Sequence, residues 1–450
     1  MSRAEIAAFR FGFGLPDTGG DTAEALLAQV QGPDVAAERW PSYGVAEVLL
    51  VMLALREARA MAAGAPEDKA TKKAQRRAIK AGNALSIRGA QAAVARAVGG
   101  PGFRERLVRF WADHFTVVPR SRTERAWPAA LVEDAIRPHV GGHFGEMLQA
   151  VVTHPAMLLY LDQAQALGPN SKRGARRGKG LNENLARELL ELHTLGVGSG
   201  YGQEDVRQLA ELLTGLTVVP DRGFAFDPGR AEPGAEVVLG VEYDGKGVEP
   251  VLEALGDLAI RPETARHIAR KLAVHFVSDE PDAGLVGAMA DAWTGTGGDL
   301  QAVAEAMLAQ PAAWEPEAGK ARQPFEFVAA SLRALGLGGD EVMGMAEGPF
   351  LRLVIDPMAG MGQTWDGAPG PDGWPEAAGD WITPQGMAAR ITWAMEVPGL
   401  LATPLPDAAE VAARALGGRA SERLSWAIRA AESRREALGL VFAAPEFNRR

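Results

Sequence analysis

Cysteine is absent from the chain, which excludes disulfides, thiolate metal sites and cysteine nucleophiles. No uninterrupted apolar run reaches about 18 residues, so no segment reads as a bilayer-spanning helix. The opening Met1-Ser-Arg-Ala-Glu-Ile-Ala-Ala-Phe-Arg-Phe11 has no apolar stretch long enough for a secretory leader, and the expected compartment is therefore the cytoplasm. His-Glu-x-x-His, Gly-x-Ser-x-Gly and Walker-type phosphate loops are all missing, as is any internal repeat of fixed period. The well-marked hydrolase and nucleotide-binding signatures therefore find no support.

The 450 residues are 47% hydrophobic and 23% charged, an ordinary globular balance with enough apolar side chain for a large core. Basic residues number 47 and acidic ones 57, for a net charge of −10. This excess of acid argues against nucleic acid as a partner.

Helical periodicity runs from the N-terminus to about residue 214, with segments near 22–30, 45–63, 66–98, 102–118, 143–152, 155–161, 181–195 and 203–214 bounded by Gly and Pro. Between 215 and 244 short β-type runs take over (Leu216–Val219, Phe224–Phe226, Val237–Leu239), and a small antiparallel insert is expected. Helices resume near 248–258, 262–278, 282–294, 299–309 and 324–336. After a Gly-, Pro- and Trp-rich stretch at 356–384, expected as a long loop, they close the chain from 385 to 442. The expected fold is mainly α: one large multi-helix assembly with the small β insert inside it.

Two basic stretches stand out. Lys69, Lys72, Lys73, Arg76, Arg77 and Lys80 crowd one end of a helix, which suits an anion or membrane surface, or simply a solvated face. The loop 172–179 brings Arg173, Arg176 and Arg177 toward the start of the helix near Asn182, a combination able to attract an acidic group.

Three helices carry a histidine on an apolar face. In 182–193, Leu185, Leu189 and Leu192 form the stripe, His193 and Asn182 project close to its centre, and Glu188 lies at its edge. Glu183, Arg187 and Glu191 fall on the opposite face at ion-pair spacing. In 103–118, His114 sits amid Phe103, Leu107, Phe110 and Trp111. In 262–277, His275 accompanies Ile268, Leu272 and Phe276. A buried imidazole needs partners for its ring nitrogens, since an unsatisfied buried polar group costs about 1–3 kcal/mol. His114, His193 and Glu188 are thus candidate catalytic residues. Asn182, Asn184, Trp111 and His275 join the three arginines as candidate substrate contacts. A structural polar core, an acid–base pocket and a zinc or iron site all remain open, with no cofactor expected. Asn182 also suits a helix N-cap.

His114, Trp111, Asn182, Asn184, Glu188 and His193 lie in motifs that resemble a bacterial domain-of-unknown-function family, the one numbered 1800. The motifs include Arg10-Phe-Gly-Phe-Gly14, Phe110-Trp-Ala-Asp-His-Phe-Thr-Val117, His154-Pro-Ala-Met-Leu-Leu-Tyr-Leu-Asp162, Asn182 through Val197, Ala265 through Leu272, Pro371-Asp-Gly-Trp-Pro375 and Pro445-Glu-Phe-Asn-Arg-Arg450. The resemblance implies proteins that are often exported and often encoded beside sulfatase-like proteins. It therefore implies an accessory or binding role with such a partner, and periplasmic export alongside it as the alternative location. Many members carry histidine where this chain has Ala112, and His-Asp where it has Ala231-Glu232, which weakens the metal reading here. A hydrolytic or acid–base enzyme using the His, Glu and Asn pocket is the competing expectation.

Overall fold

The computed structural model describes residues 1–15, 20–64, 68–177, 181–317 and 319–450, without the side chain of Arg177. The fold is mainly α. The principal helices are α1 (Ala23–Gln31), α2 (Val45–Gly64), α3 (Lys69–Gly99), α4 (Gly102–His114), α5 (Phe144–Thr153), α6 (Pro155–Tyr160), α7 (Asn184–Glu188) and α8 (Gln203–Leu212). After the β insert come α9 (Glu249–Ile260), α10 (Pro262–Phe276), α11 (Ala283–Thr296), α12 (Leu300–Ala309), α13 (Pro324–Ala334), α14 (Pro384–Glu396), α15 (Ala408–Leu416), α16 (Glu422–Ala430) and α17 (Arg434–Ala443). None of the described helices is long and apolar enough to cross a membrane.

Local chemistry starts and stops these elements where they stand. Asp68, Asp282, Asp299, Ser421 and Ser433 each accept a backbone N–H from the first turn of the helix they precede. His154 caps α6 with its ring, Nδ1 accepting from the Ala156 amide at 3.1 Å. Helix α4 ends at His114, short of the expected 118, and Phe115 already leaves helical geometry. The following Val117-Val118-Pro119 explains the early stop, because a residue before proline is pushed toward extended backbone.

The β insert consists of two separate hairpins rather than one sheet: β1 (Leu216–Val219) pairs with β2 (Gly223–Phe226), and β3 (Glu236–Val238) pairs with β4 (Val241–Tyr243). The strand β4 had no signal in the sequence. Its tight turn puts Leu239 and Gly240 both at positive φ, and leucine does not advertise that conformation. The turn is held from outside, since the Leu239 amide donates to Asp205 Oδ1 at 2.7 Å.

Two apolar cores organise the chain. One gathers α4, α5, α7 to α12 and the hairpins, and includes Trp111, Phe144, Leu189, Ile268 and Trp293. The other gathers the C-terminal end of α3 with α13 to α17, and includes Trp40, Phe327, Val354, Trp393 and Phe442. The six basic residues at the start of α3 are exposed. The stretch 356–384 opens on a helical turn, Asp356–Gly360, and nearly closes on another, Ala378–Trp381. Between them the chain packs along the seam where α4 and α10 meet α13.

Candidate functional site

Helix α7 does not end as a regular helix. It widens into a π turn over Leu189–His193, which inserts an extra residue per turn and shifts the phase of the apolar stripe. Leu190 thereby becomes fully buried while Leu192, expected inward, is only half-buried. The last carbonyls of a helix have no partner within it. Here two imidazoles supply one each: His267 Nε2 lies 3.1 Å from the Leu192 carbonyl, and His114 Nε2 lies 3.2 Å from the His193 carbonyl.

Carbonyls only accept, so both rings must carry their proton on Nε2, which leaves Nδ1 as an acceptor. For His114 that acceptor is used by Lys271, whose Nζ donates to Nδ1 at 3.1 Å. For His267 it lies against Gly196, where a Cβ would come within 2.8 Å of Nδ1; Gly196 also has φ +89°, so both space and backbone require glycine. His193 packs its ring 5.8 Å from His114 and 5.1 Å from Phe115, and its buried Nδ1 has no hydrogen-bond partner among the described residues.

Lys271 lies on the wall of a cavity of about 210 Å3 lined by Phe110, Asp113, His114, His267, Arg270, Val274, Asp372, Trp374 and Glu376. Asp113 comes from α4, and Asp372, Trp374 and Glu376 come from the loop above. Asp113 accepts the Trp374 amide on both carboxylate oxygens, at 3.0 and 3.2 Å. The loop reaches that close because residue 373 is glycine, at φ +86°, where a Cβ would sit 2.6 Å from Asp113 Oδ2. Asp113 and Trp374 also line two neighbouring cavities of about 20 and 80 Å3.

Burial displaces the protonation equilibria around this cavity. Desolvation raises the Asp113 carboxyl to about 7, with Glu376 adding to the rise. It lowers the Lys271 ammonium, against the pull of Asp113, Glu376 and Asp372. His114 falls well below its ordinary value through burial and the nearby Lys271 charge, and His193 falls to about 3 for the same reasons. No described carboxylate lies within 4 Å of Lys271 Nζ. Its one hydrogen-bond partner among the described residues is the neutral imidazole of His114.

One turn further along α10, His275 occupies a different setting. Its Nδ1 donates to Glu376 Oε1 at 2.5 Å, and its Nε2 accepts from Arg106 Nη2 at 3.1 Å, an arrangement that only a neutral ring allows. Burial takes it to about 4. Burial opposes the charge on Glu376, yet His275, Lys320 and Arg450 together hold its carboxyl well below the usual range. Lys320 pairs with Asp279 at 2.6 Å and Glu376 at 3.2 Å, while Arg106 and Arg450 each meet Glu326 at 2.8 Å.

The other candidate residues are distributed as follows. Glu188 is half-buried, its carboxyl raised by desolvation and by the charges of Glu191 and Asp372, and it makes no hydrogen bond to either imidazole. Asn182 acts at the start of α7: Oδ1 accepts the Asn184 amide at 3.0 Å and Nδ2 donates to the Leu161 carbonyl at 2.9 Å. Asn184 is exposed, and Trp111 is buried among Phe110, Phe115 and Phe144. Arg173 pairs with Asp227 beside the hairpins at 3.0 Å, Arg176 is exposed, and neither lines the 210 Å3 cavity. The side chain of Arg177 and residues 178–180 lie outside the described residues. Among the described residues, no group of three His, Asp or Glu side chains is arranged to hold a metal ion.

Sequence reasoning passed over His267, Lys271, Asp113, Trp374 and Glu376. One signal was present: His267, Lys271 and His275 recur every four residues, which places all three on one face of α10.

No curated protein and no solved structure matches this chain. A family model described as a protein of unknown function (DUF1800) matches residues 7–449, and the chain belongs to that family.

Proposed function

We propose that the cavity between α4, α10 and the Trp374 loop binds a small polar ligand and moves a proton on it. Asp113 would act as the acid and Lys271 as the base, with His114 as the residue that positions Lys271. The observation that carries this reading is the amine of Lys271, held 3.1 Å from an imidazole lone pair on a cavity wall with no carboxylate among the described residues within ion-pair distance. A lysine so placed loses its proton more readily than one at the surface. An acid and a base whose protonation equilibria have moved toward each other suit general catalysis near neutrality.

The test is acetylation by acetic anhydride across a pH series, with each lysine read by peptide mass spectrometry. Lys271 should reach half-maximal labelling at a lower pH than exposed Lys172 and Lys246, because burial disfavours its charged form. Labelling that tracks those two, or none at any pH up to about 10, overturns the reading.

A second reading, an accessory protein docking on a sulfatase-like partner, draws on the exposed apolar side chains Trp426 and Leu400, which are 66% and 63% accessible. Capture of such a partner by the wild-type chain, and its loss in Trp426→Ala, is the expected result for that case. Capture undiminished by the substitution counts against this surface.

A further inference from the structure

We propose that Lys271 is a carbonyl-reacting amine: the cavity takes a small aldehyde or ketone and binds it covalently as an imine on Nζ. This deepens the acid–base reading of the same cavity and rests on it.

Three features of the geometry carry it. The amine has a neutral partner. Lys271 donates one N–H to His114 Nδ1, and that ring is locked in the accepting tautomer by its own bond to the His193 carbonyl. The amine can therefore be held in place without a carboxylate fixing it as ammonium, as happens to Lys320. Next, the charge that the reaction creates is anticipated. A protonated imine is a cation, and Lys271 lies within the fields of Glu376 and Asp372, joined by that of Asp113 once it has given up its proton, which favour a positive charge at this point. Lastly, the cavity holds a proton donor. Asp113 lines the same cavity, and burial lets it keep a proton to about pH 7.

The chemistry balances with these groups alone. The nitrogen lone pair of neutral Lys271 adds to the carbonyl carbon, and one amine proton passes to the carbonyl oxygen, giving a carbinolamine. Asp113 protonates that hydroxyl, which leaves as water while the nitrogen lone pair forms the C=N bond. The product is a protonated imine facing the Asp113 carboxylate. Exposed Arg270 and Asp372 stand at the rim, where the rest of a polar carbonyl compound would lie.

The experiment is reductive trapping. The full chain is incubated at neutral pH with glycolaldehyde and sodium cyanoborohydride, and hydroxyethyl adducts are mapped on all nine lysines. Lys271 should be modified several times faster than exposed Lys172 and Lys246, because more of its amine is unprotonated at neutral pH. Asp113→Asn, which keeps an acceptor for the Trp374 amide, should slow the adduct at Lys271 by at least about tenfold and leave Lys172 unchanged. Lys271→Arg should remove the fast adduct altogether without altering the circular dichroism spectrum. An adduct at Lys271 no faster than at Lys172 overturns the proposal, as does a rate that Asp113→Asn leaves untouched. Acetylation separates the two levels. Lys271 labelled readily by acetic anhydride but not by glycolaldehyde sinks the carbonyl chemistry and spares the acid–base cavity, whereas resistance to both reagents sinks both.

Discussion

Lys320 and Lys271 both bring an amine beneath the loop that carries Trp374, and the two are surrounded in opposite ways. Lys320 is 1% exposed and meets two carboxylates and a backbone carbonyl. Around it Arg106, Arg450, Glu326, His275 and Glu376 complete a network in which each charge faces an opposite one or a hydrogen-bond partner. Lys271 meets one neutral imidazole and an open cavity. The first region ties α10, α13, the loop and Arg450 together. The second is left electrostatically unfinished on a wall that a ligand can reach. On the proposed reading it is the presence or absence of a matching partner, and not buried charge by itself, that separates a structural site from a chemical one.

The comparison can be broken by removing each amine in turn. Lys320→Met should produce the largest loss, about 3–5 kcal/mol in urea denaturation, because it strands Asp279 and Glu376 in a half-buried network. An effect below about 1 kcal/mol would show that the paired region is not structural. His275→Ala should cost somewhat less, about 2–3 kcal/mol, for two hydrogen bonds to charged groups.

The same histidines give the protein an acid limb. His275 and His193 titrate at about 4 and 3 in the native state, and His114 well below its ordinary value. In the unfolded chain each takes a proton near pH 6.5. The unfolded state therefore binds more protons below that point, and stability should fall as pH drops from about 6.5 toward 4. His193→Leu should blunt this fall while costing about 1 kcal/mol or less at pH 8, since the buried Nδ1 it removes has no partner among the described residues. A fall of unchanged size in His193→Leu would show that another group carries it.

Asp113 works in the opposite direction. Its native carboxyl holds a proton to about 7, above the unfolded value near 4. Its contribution to stability is therefore greatest below about pH 4 and is lost as pH rises to about 7. Asp113→Asn should gain about 1 kcal/mol at pH 8 and nothing at pH 4, a figure reduced for the solvent that reaches the cavity. The smallest effect belongs to Lys271→Met, which should move stability by less than about 1 kcal/mol in either direction. A loss as large as that of Lys320→Met would erase the distinction between the two regions.

Much of this arrangement could be read before any coordinates. The apolar stripes of Phe103, Leu107, Phe110 and Trp111 and of Ile268, Leu272 and Phe276 follow from a 3.6-residue period, and they carried His114 and His275 inward with them. Glu183, Arg187 and Glu191, placed on the far face by the same period, do form i,i+4 ion pairs at 3.1 and 3.2 Å. Lys271 and His267 lay outside the apolar stripe, marked only by their four-residue spacing to His275. A polar residue on a helix looks solvated unless something distant covers it, and what covers these two is a loop about a hundred residues later.

The amino-acid order alone settled the mainly helical scaffold, the position of the β insert and the inward turn of His114, His193 and His275, because periodicity, caps and prolines act over a few residues. Tertiary structure alone decided that the π turn offers its last carbonyls to His114 and His267, that Gly373 lets Trp374 descend onto Asp113, and that Lys271 faces a neutral ring while Lys320 faces carboxylates. Those outcomes depend on distances between elements far apart in the chain. Charge and hydrogen bonding inside a protein are governed by those distances rather than by neighbours in sequence.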